Sequence, residues 1–209
     1  MKTVLSAYAV VAALLSPVAL ADIVVKVTND KGEPIAGAVV SFTPFAGDAA
    51  APSPSLTPVV VNQRDLQFQP LVTTVPVGQT VRFTNEDEVL HHVFSFSKPK
   101  RFDLKLFGRD EPQDVTFDKP GVVAVGCNIH DNMIAYVNVI EAPFSGVSDL
   151  DGLVSLPDAP DAEGAVAVWH PLMRARGNAI ELPITQADAG QVIPVSAKFR
   201  RGVQAGNAY

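Results

Sequence analysis

Short runs in which apolar and polar residues alternate constrain the fold of this chain more than any other feature. Apolar side chains occupy every second position in 81–84, 102–106 and 135–139. Successive side chains of a β-strand point to opposite faces, so this period gives each strand one face for a core. Gly78-Gln79 and Pro120-Gly121 separate such runs as turns. Because no helical stripe follows residue 21, the pattern predicts an all-β chain built as an antiparallel sandwich.

The alternating runs form two groups along the chain. Strands predicted at 24–28 and 38–42 cannot bury a sheet face alone, since a stable sheet needs about three strands or a second layer. We therefore expect them to pair with strands near the C-terminus, predicted at 153–156, 165–169, 180–184 and 192–199. The predicted organisation is a leader over 1–21, a first part of the outer sandwich over 22–47, an Ala/Pro/Ser-rich linker over 48–58, an inserted domain over 59–141, and the rest of the outer sandwich over 142–209.

The first 21 residues have the pattern of a secretory signal. Lys2 precedes an apolar run that is too short to cross a bilayer, and Ala19-Leu20-Ala21 resembles a cleavage site. We expect cleavage before Asp22, export to the periplasm and no membrane span. Without Lys2, 15 basic residues stand against 22 acidic ones, a net charge of −7. Such a balance disfavours nucleic acid as a partner, because that binding depends on neutralising phosphates.

A cluster of soft ligand types surrounds the single cysteine of the chain. Cys127, His130 and Met133 offer a thiolate, an imidazole and a thioether within seven residues. A lone cysteine in an exported protein cannot form an internal disulfide, and a metal is one explanation for it. Two histidines, a cysteine and a weak axial methionine form the ligand set of blue copper sites. The sequence therefore predicts copper, provided that a second histidine joins the cluster.

The second histidine has three candidates. His91 and His92 lie in a predicted strand, so their side chains point to opposite faces and only one of them easily reaches a metal. His170 follows Trp169 at the end of another predicted strand, and no second ligand type lies near it in sequence. We interpret His170 as structural. The acidic run Glu86-Asp87-Glu88 is interpreted as a solvated loop or as part of an acidic rim beside the metal.

The segment 59–141 resembles the cupredoxins, the small blue copper proteins. The spacing of Asn85, His91 and Val93 matches their first ligand loop, and Gly121 to Cys127 is similar to their strand before the second. The spacing of Cys127, His130 and Met133 resembles that of amicyanin. The resemblance implies a Greek-key β-sandwich of the cupredoxin type, which holds one copper ion in a type 1 site. Its ligands would be His91, Cys127, His130 and Met133. Many cupredoxins have asparagine where this chain has His92.

The chain also resembles a set of exported bacterial proteins that carry the label methylamine utilization protein. The shared segments are His91 to Ser97, Arg101 to Leu106 and Gly126 to Met133. Segments at 32–38 and 151–157 are similar to carboxypeptidase-regulatory, transthyretin-like sandwiches. This likeness implies that the N- and C-terminal strands form a second, transthyretin/Ig-like sandwich.

Three functions are compatible with this interpretation. The first is a one-electron carrier that is not itself an enzyme, and its redox partner would be a cytochrome c or a periplasmic dehydrogenase. The second is a copper chaperone or storage protein with the same ligands, and the third is a metal-free interaction module. A catalytic second copper centre is disfavoured, because it would need more histidines than the four in the chain.

Overall fold

The computed structural model describes residues 22–47, 49–160, 162–185, 188 and 190–200, so the predicted leader lies outside the described residues. These residues form β-strands joined by loops, with a 3-10 turn at Arg176–Asn178. The strands are β1 Ile23–Asn29, β2 Val39–Pro44, β3 Val59–Arg64, β4 Gln67–Gln69, β5 Val72–Pro76, β6 Gln79–Asn85, β7 His91–Ser95, β8 Phe102–Phe107, β9 Gln113–Phe117, β10 Gly121–Cys127, β11 Ile134–Ile140, β12 Phe144–Val147, β13 Leu153–Leu156, β14 Gly164–Trp169, β15 Ala179–Ile184 and β16 Val192–Ala197.

Strands β3 to β11 form one sandwich. Its two sheets have the strand orders β4-β3-β6-β9 and β5-β11-β10-β7-β8. In β6 every second residue from Gln79 to Asn85 is buried, as the sequence period requires. The buried faces of both sheets meet in one apolar core that includes Val61, Phe83, Phe117, Val123 and Val137. This core fixes the strand ends from which the candidate ligands project.

The remaining strands form a second sandwich, which we call the outer sandwich. Its sheets have the orders β13-β1-β16 and β12-β2-β14-β15, so both N-terminal strands pair with C-terminal ones. Its own core includes Val27, Phe42, Leu156, Val166 and Met173. The predicted fold class is confirmed over the described residues: they are all-β, with one sandwich built from β3 to β11 and a second made from N- and C-terminal strands.

The expectation of purely antiparallel pairing is wrong for three strand pairs. β1 runs parallel to β16, β3 to β6 and β5 to β11. Alternation along a strand reports which face is buried but says nothing about the direction of its neighbour, so the sequence pattern could not distinguish these cases. Strands β3, β4 and β12 were not predicted either; β4 and β12 have only three and four residues, which give too little alternation to detect.

The two sandwiches contact each other through a small apolar cluster. Val39 and Trp169 of the outer sandwich are buried together with Val72 and Ile140 of the other. The ring of Tyr136 meets that of Trp169 edge to face, with centroids 5.6 Å apart. In the described part of the chain no helix is long and apolar enough to cross a membrane.

His170 is buried in the outer sandwich, in agreement with a structural role. Its Nδ1 accepts a hydrogen bond of 3.1 Å from the Leu172 N–H, and its ring packs against Phe199. Burial lowers the pKa of His170 to about 4, and the backbone of Ala36 offsets this only in part. The imidazole is therefore neutral in the folded protein at neutral pH.

We predict that the outer sandwich loses stability on acidification because of His170. Its pKa is about 4 in the folded state and 6.5 ordinarily. Between these two pH values the unfolded chain therefore binds more protons than the folded one. The free energy of unfolding should fall, by roughly 3 kcal/mol at most, as pH drops from 6.5 towards 4. Urea unfolding followed by fluorescence of Trp169, the single tryptophan, measures this sandwich directly.

The matched variant is His170→Asn, which retains an acceptor for the Leu172 N–H but does not titrate. Its stability should depend less on pH over the same range than that of the unmutated protein. An equal pH dependence of the two proteins would contradict the assignment.

Candidate metal centre

The pairing of β7 with β10 brings the candidate ligands to one edge of the sheet. The two strands are antiparallel, and Cys127 lies opposite Val93. His91 is the first residue of β7 and Cys127 is the last of β10. The start of one antiparallel strand lies beside the end of its neighbour, so both side chains project from the same end of the sandwich.

Three ligand atoms converge there. Nδ1 of His91 lies 3.1 Å from Nδ1 of His130, and Sγ of Cys127 lies 3.8 Å and 3.5 Å from these two nitrogens. A circle through these three atoms has a radius of about 2.0 Å, close to the metal–nitrogen and metal–sulfur bonds of about 2.0–2.3 Å that are typical of zinc. Within the described ranges, no other group of three His, Cys, Asp or Glu side chains has ligand atoms so close together. The donor set therefore fits a single metal ion.

The short loop after β10 carries the third of these ligands. The Cys127 N–H donates to the Met133 carbonyl at 3.2 Å, and the Met133 N–H donates to the His130 carbonyl at 3.4 Å. These bonds fold the loop back on itself, so His130 turns towards the thiol. His91 is fully buried and Cys127 nearly so, whereas His130 is half-buried. The site is thus closed on the protein side and reaches solvent at His130.

Met133 belongs to the apolar core cluster that also contains Cys127. Only 3% of it is exposed. Its burial in the cluster of Cys127 is compatible with a long axial bond and with simple packing. Its role as the fourth ligand stays a prediction.

His92 points away from the converging ligands, as the strand period predicts. Its Nε2 lies 2.6 Å from Oδ1 of Asp103 on the neighbouring strand β8. Its backbone carbonyl accepts a hydrogen bond of 2.9 Å from the Asn128 N–H, and Nδ2 of Asn128 lies 3.4 Å from its Nδ1. His92 therefore links the two ligand-bearing loops from outside the site.

Asp87 belongs to the acidic run that the sequence placed in a solvated loop or an acidic rim, but its direct contact with His91 was not predicted. Its Oδ2 lies 2.9 Å from Nε2 of His91, and its side chain is only 13% exposed. It also accepts hydrogen bonds from the backbone N–H groups of Asp65, at 2.7 Å, and Leu66, at 3.1 Å. Burial raises the pKa of Asp87, but the bonds from His91, Leu66 and Asp65 outweigh it and leave that pKa below its ordinary value. The sequence signal for this contact was the spacing, since Asp87 lies four residues before the candidate ligand His91.

Asn85 shapes the loop that carries Asp87. Its Oδ1 accepts a hydrogen bond of 2.8 Å from the Asp87 N–H, and its Nδ2 donates to the Val89 carbonyl at 2.8 Å. The same Nδ2 donates to the Phe107 carbonyl of β8 at 3.3 Å. This buried amide thus holds the loop between β6 and β7 against β8. The loop that leads to His91 is therefore restrained at Asp87 and at Val89.

Several solved structures are similar to this chain, whereas no protein-family model and no curated protein matches it. The copper-containing nitrite reductase NirK from Thermus scotoductus SA-01 is 31% identical, over 47% of this chain and 25% of that one, with a TM-score of 0.40. A purple cupredoxin from Nitrosopumilus maritimus is 23% identical, over 39% and 99%, with a TM-score of 0.36. A reduced amicyanin mutant is 22% identical, over 48% and 98%, with a TM-score of 0.38. The chain spans about a quarter of the nitrite reductase.

We predict that His91→Ala weakens metal binding far more than His92→Ala. The first substitution removes a converging nitrogen, whereas the second removes a side chain that faces Asp103. Loss of an outer partner typically costs about 10–100-fold in metal affinity, so His91→Ala should exceed that range and His92→Ala should not. Titration of both variants with Cu²⁺ and Co²⁺ measures the order, and the reverse order would place the wrong histidine in the site.

Proposed function

We propose that this protein is a periplasmic type 1 copper protein that carries one electron at a time. The observation that carries the proposal is the convergence of two imidazole nitrogens and one thiol on a point about 2.0 Å from each. Soft thiolate combined with imidazole favours copper over magnesium or calcium, which prefer oxygen ligands. His91, Cys127 and His130 would hold the ion, and Met133 would supply the axial thioether.

The way in which the ligands are held supports electron transfer. His91 and Cys127 lie on paired strands whose residues are packed in the sandwich core, and the hydrogen bonds of the short loop restrain His130. Copper in such a set gains or loses an electron, and a packed core resists large changes in ligand position. Small rearrangement between the two oxidation states favours fast electron transfer.

The half-buried His130 is the proposed exit for the electron. The apolar side chains of Val89, Leu90 and Ile129 are exposed in the same two ligand-bearing loops. Glu86, Glu88 and Asp131 are exposed there as well. A partner with an apolar contact face and a basic rim would fit this end, and a cytochrome c or a periplasmic dehydrogenase is our proposal for its class.

We further propose that the chain is a carrier rather than an enzyme. Two of its four histidines converge on the single cysteine, His92 faces Asp103, and His170 is buried against Phe199 of the outer sandwich. The sequence of the leader supports a periplasmic location. The segments shared with exported proteins labelled methylamine utilization protein support a relationship to that set.

We predict that the copper-loaded protein has an intense thiolate-to-Cu(II) charge-transfer band in the visible spectrum, and that Cys127→Ser abolishes it. A serine hydroxyl is a harder and far less acidic donor than a thiol, so it cannot replace the thiolate. His92→Ala serves as the matched control and should retain the band, while circular dichroism checks that both variants fold. Tight Cu(I) binding without a band would indicate copper storage or transfer instead, and no binding would leave an interaction module.

We predict that Met133→Gln lowers the reduction potential and Met133→Leu raises it. An amide oxygen favours Cu(II), whereas an apolar side chain withdraws a donor from the oxidised ion, and the axial ligand tunes such sites. Met and Leu are similar in volume, so packing should change by less than about 1.5 kcal/mol. Voltammetry measures both shifts, and a shift in the same direction for both variants, or none, would exclude Met133 as the axial ligand.

A further inference from the structure

The β3–β4 hairpin is bonded to the candidate metal centre although it supplies no ligand. Its turn residues Asp65 and Leu66 donate their N–H groups to Asp87, which also bonds His91. We propose that Asp87 and this turn together position His91, so that the hairpin orients a ligand of the metal centre. The inference rests on the proposed function for the identity of the metal. The contacts of His91 with Asp87 and the turn would position it for any metal ion that it binds.

The contact with Asp87 determines which nitrogen of His91 is free. An ionised carboxylate only accepts hydrogen bonds, so Nε2 of His91 carries the proton in this contact. Nδ1 is then left with its lone pair, and this is the nitrogen that faces Sγ of Cys127. A carboxylate on the far nitrogen also fixes the ring plane and raises the basicity of the ligand. Asp87 therefore orients His91 without touching the metal.

The two-residue turn of the β3–β4 hairpin holds the Asp87 carboxylate in place. Asp65 and Leu66 have φ values of 55° and 58°, both in the left-handed region. Two-residue hairpins favour Asn-Gly in this geometry, because a side chain such as leucine is strained there. The conformation directs two successive N–H groups to one side, where they bind an anion. Asp87 is that anion, and its two oxygens receive one turn N–H each.

Asp87 also brings a negative charge close to the site. Its side chain is 13% exposed, whereas those of Glu86 and Glu88 on the same loop are 56% and 91% exposed. A shielded charge interacts more strongly with an ion than a solvated one does. The carboxylate should stabilise Cu(II) relative to Cu(I) and so lower the reduction potential. The two exposed glutamates provide controls with the same change of charge.

The first experiment compares Asp87→Asn with Glu88→Gln in the full chain. An amide presents one oxygen, whereas donors approach both oxygens of Asp87, so at least one donor would face an NH₂ group. Asp87→Asn should lower Co²⁺ affinity at least tenfold, within the range for loss of an outer-shell partner, and should raise the potential of the copper form. Glu88→Gln should change Co²⁺ affinity less than about twofold. Equal effects of the two substitutions would overturn the proposal.

The second experiment tests the turn without altering any charge. Leu66→Gly and Leu66→Val both shorten an exposed side chain, but glycine adopts positive φ readily and a β-branched residue does not. Leu66→Gly should therefore bind Co²⁺ more tightly than Leu66→Val. A turn that only closes the hairpin would give two variants of equal affinity, and thermal unfolding monitors whether both are folded.

The third measurement separates this proposal from the assignment of copper. Nitrogen-15 NMR of the metal-free protein at one neutral pH reports which nitrogen of His91 is protonated. The unmutated chain and Glu88→Gln should show the proton on Nε2, and Asp87→Asn should show a changed or mixed state. If the chain lacked the visible copper band, the electron-carrier function would fail while this result still stood. A His91 signal unchanged by Asp87→Asn would overturn the positioning role alone.

Discussion

The antiparallel pairing of β7 and β10 is the constraint on which the candidate centre depends. Its register places Cys127 opposite Val93, and this puts His91 and the thiol at one end of the sandwich. A shift by one residue would turn His91 outward and His92 inward, because side chains alternate along a strand. The buried faces of Val93 and Val125 oppose such a shift, since it would expose apolar surface on both strands. Core packing and ligand geometry thus require the same register.

Features repeated along the strands were predictable from the sequence. Alternation identified most of the strands and showed that His91 and His92 face opposite ways, while the resemblance selected His91 and the spacing of Cys127, His130 and Met133 identified the loop. The structure places His91, Cys127 and His130 together, which chain spacing alone could not show for His91. The direction of neighbouring strands was not predictable, because it depends on where the connections run. Nor was the role of Asp87, since its partners at 65 and 66 belong to a distant turn.

His92 shows how a departure from a family pattern can be accommodated by its neighbours. Asparagine is common at this position in the family that residues 59–141 resemble, and here an asparagine, Asn128, follows the cysteine instead. Asn128 contacts His92 through both its backbone N–H and its side chain, while Asp103 holds the far nitrogen of the imidazole. In this chain the link between the two ligand-bearing loops is therefore made by His92 and Asn128, with the asparagine on the loop after the cysteine.

The parallel pairing of β1 with β16 has a consequence for the order in which the protein can fold. Strands β3 to β11 find all their pairing partners between residues 59 and 140, whereas β1 must wait for β13 and then for β16, where Val192 pairs with Val24 across 168 residues of chain. A chain that emerges from its N-terminus can therefore complete the metal-binding sandwich while β1 and β2 still lack partners. During that interval the apolar faces of Val25 and Phe42 have no core to enter. The risk of aggregation during synthesis should then be greatest for β1 and β2 of the outer sandwich, because these strands are made first and find their partners last.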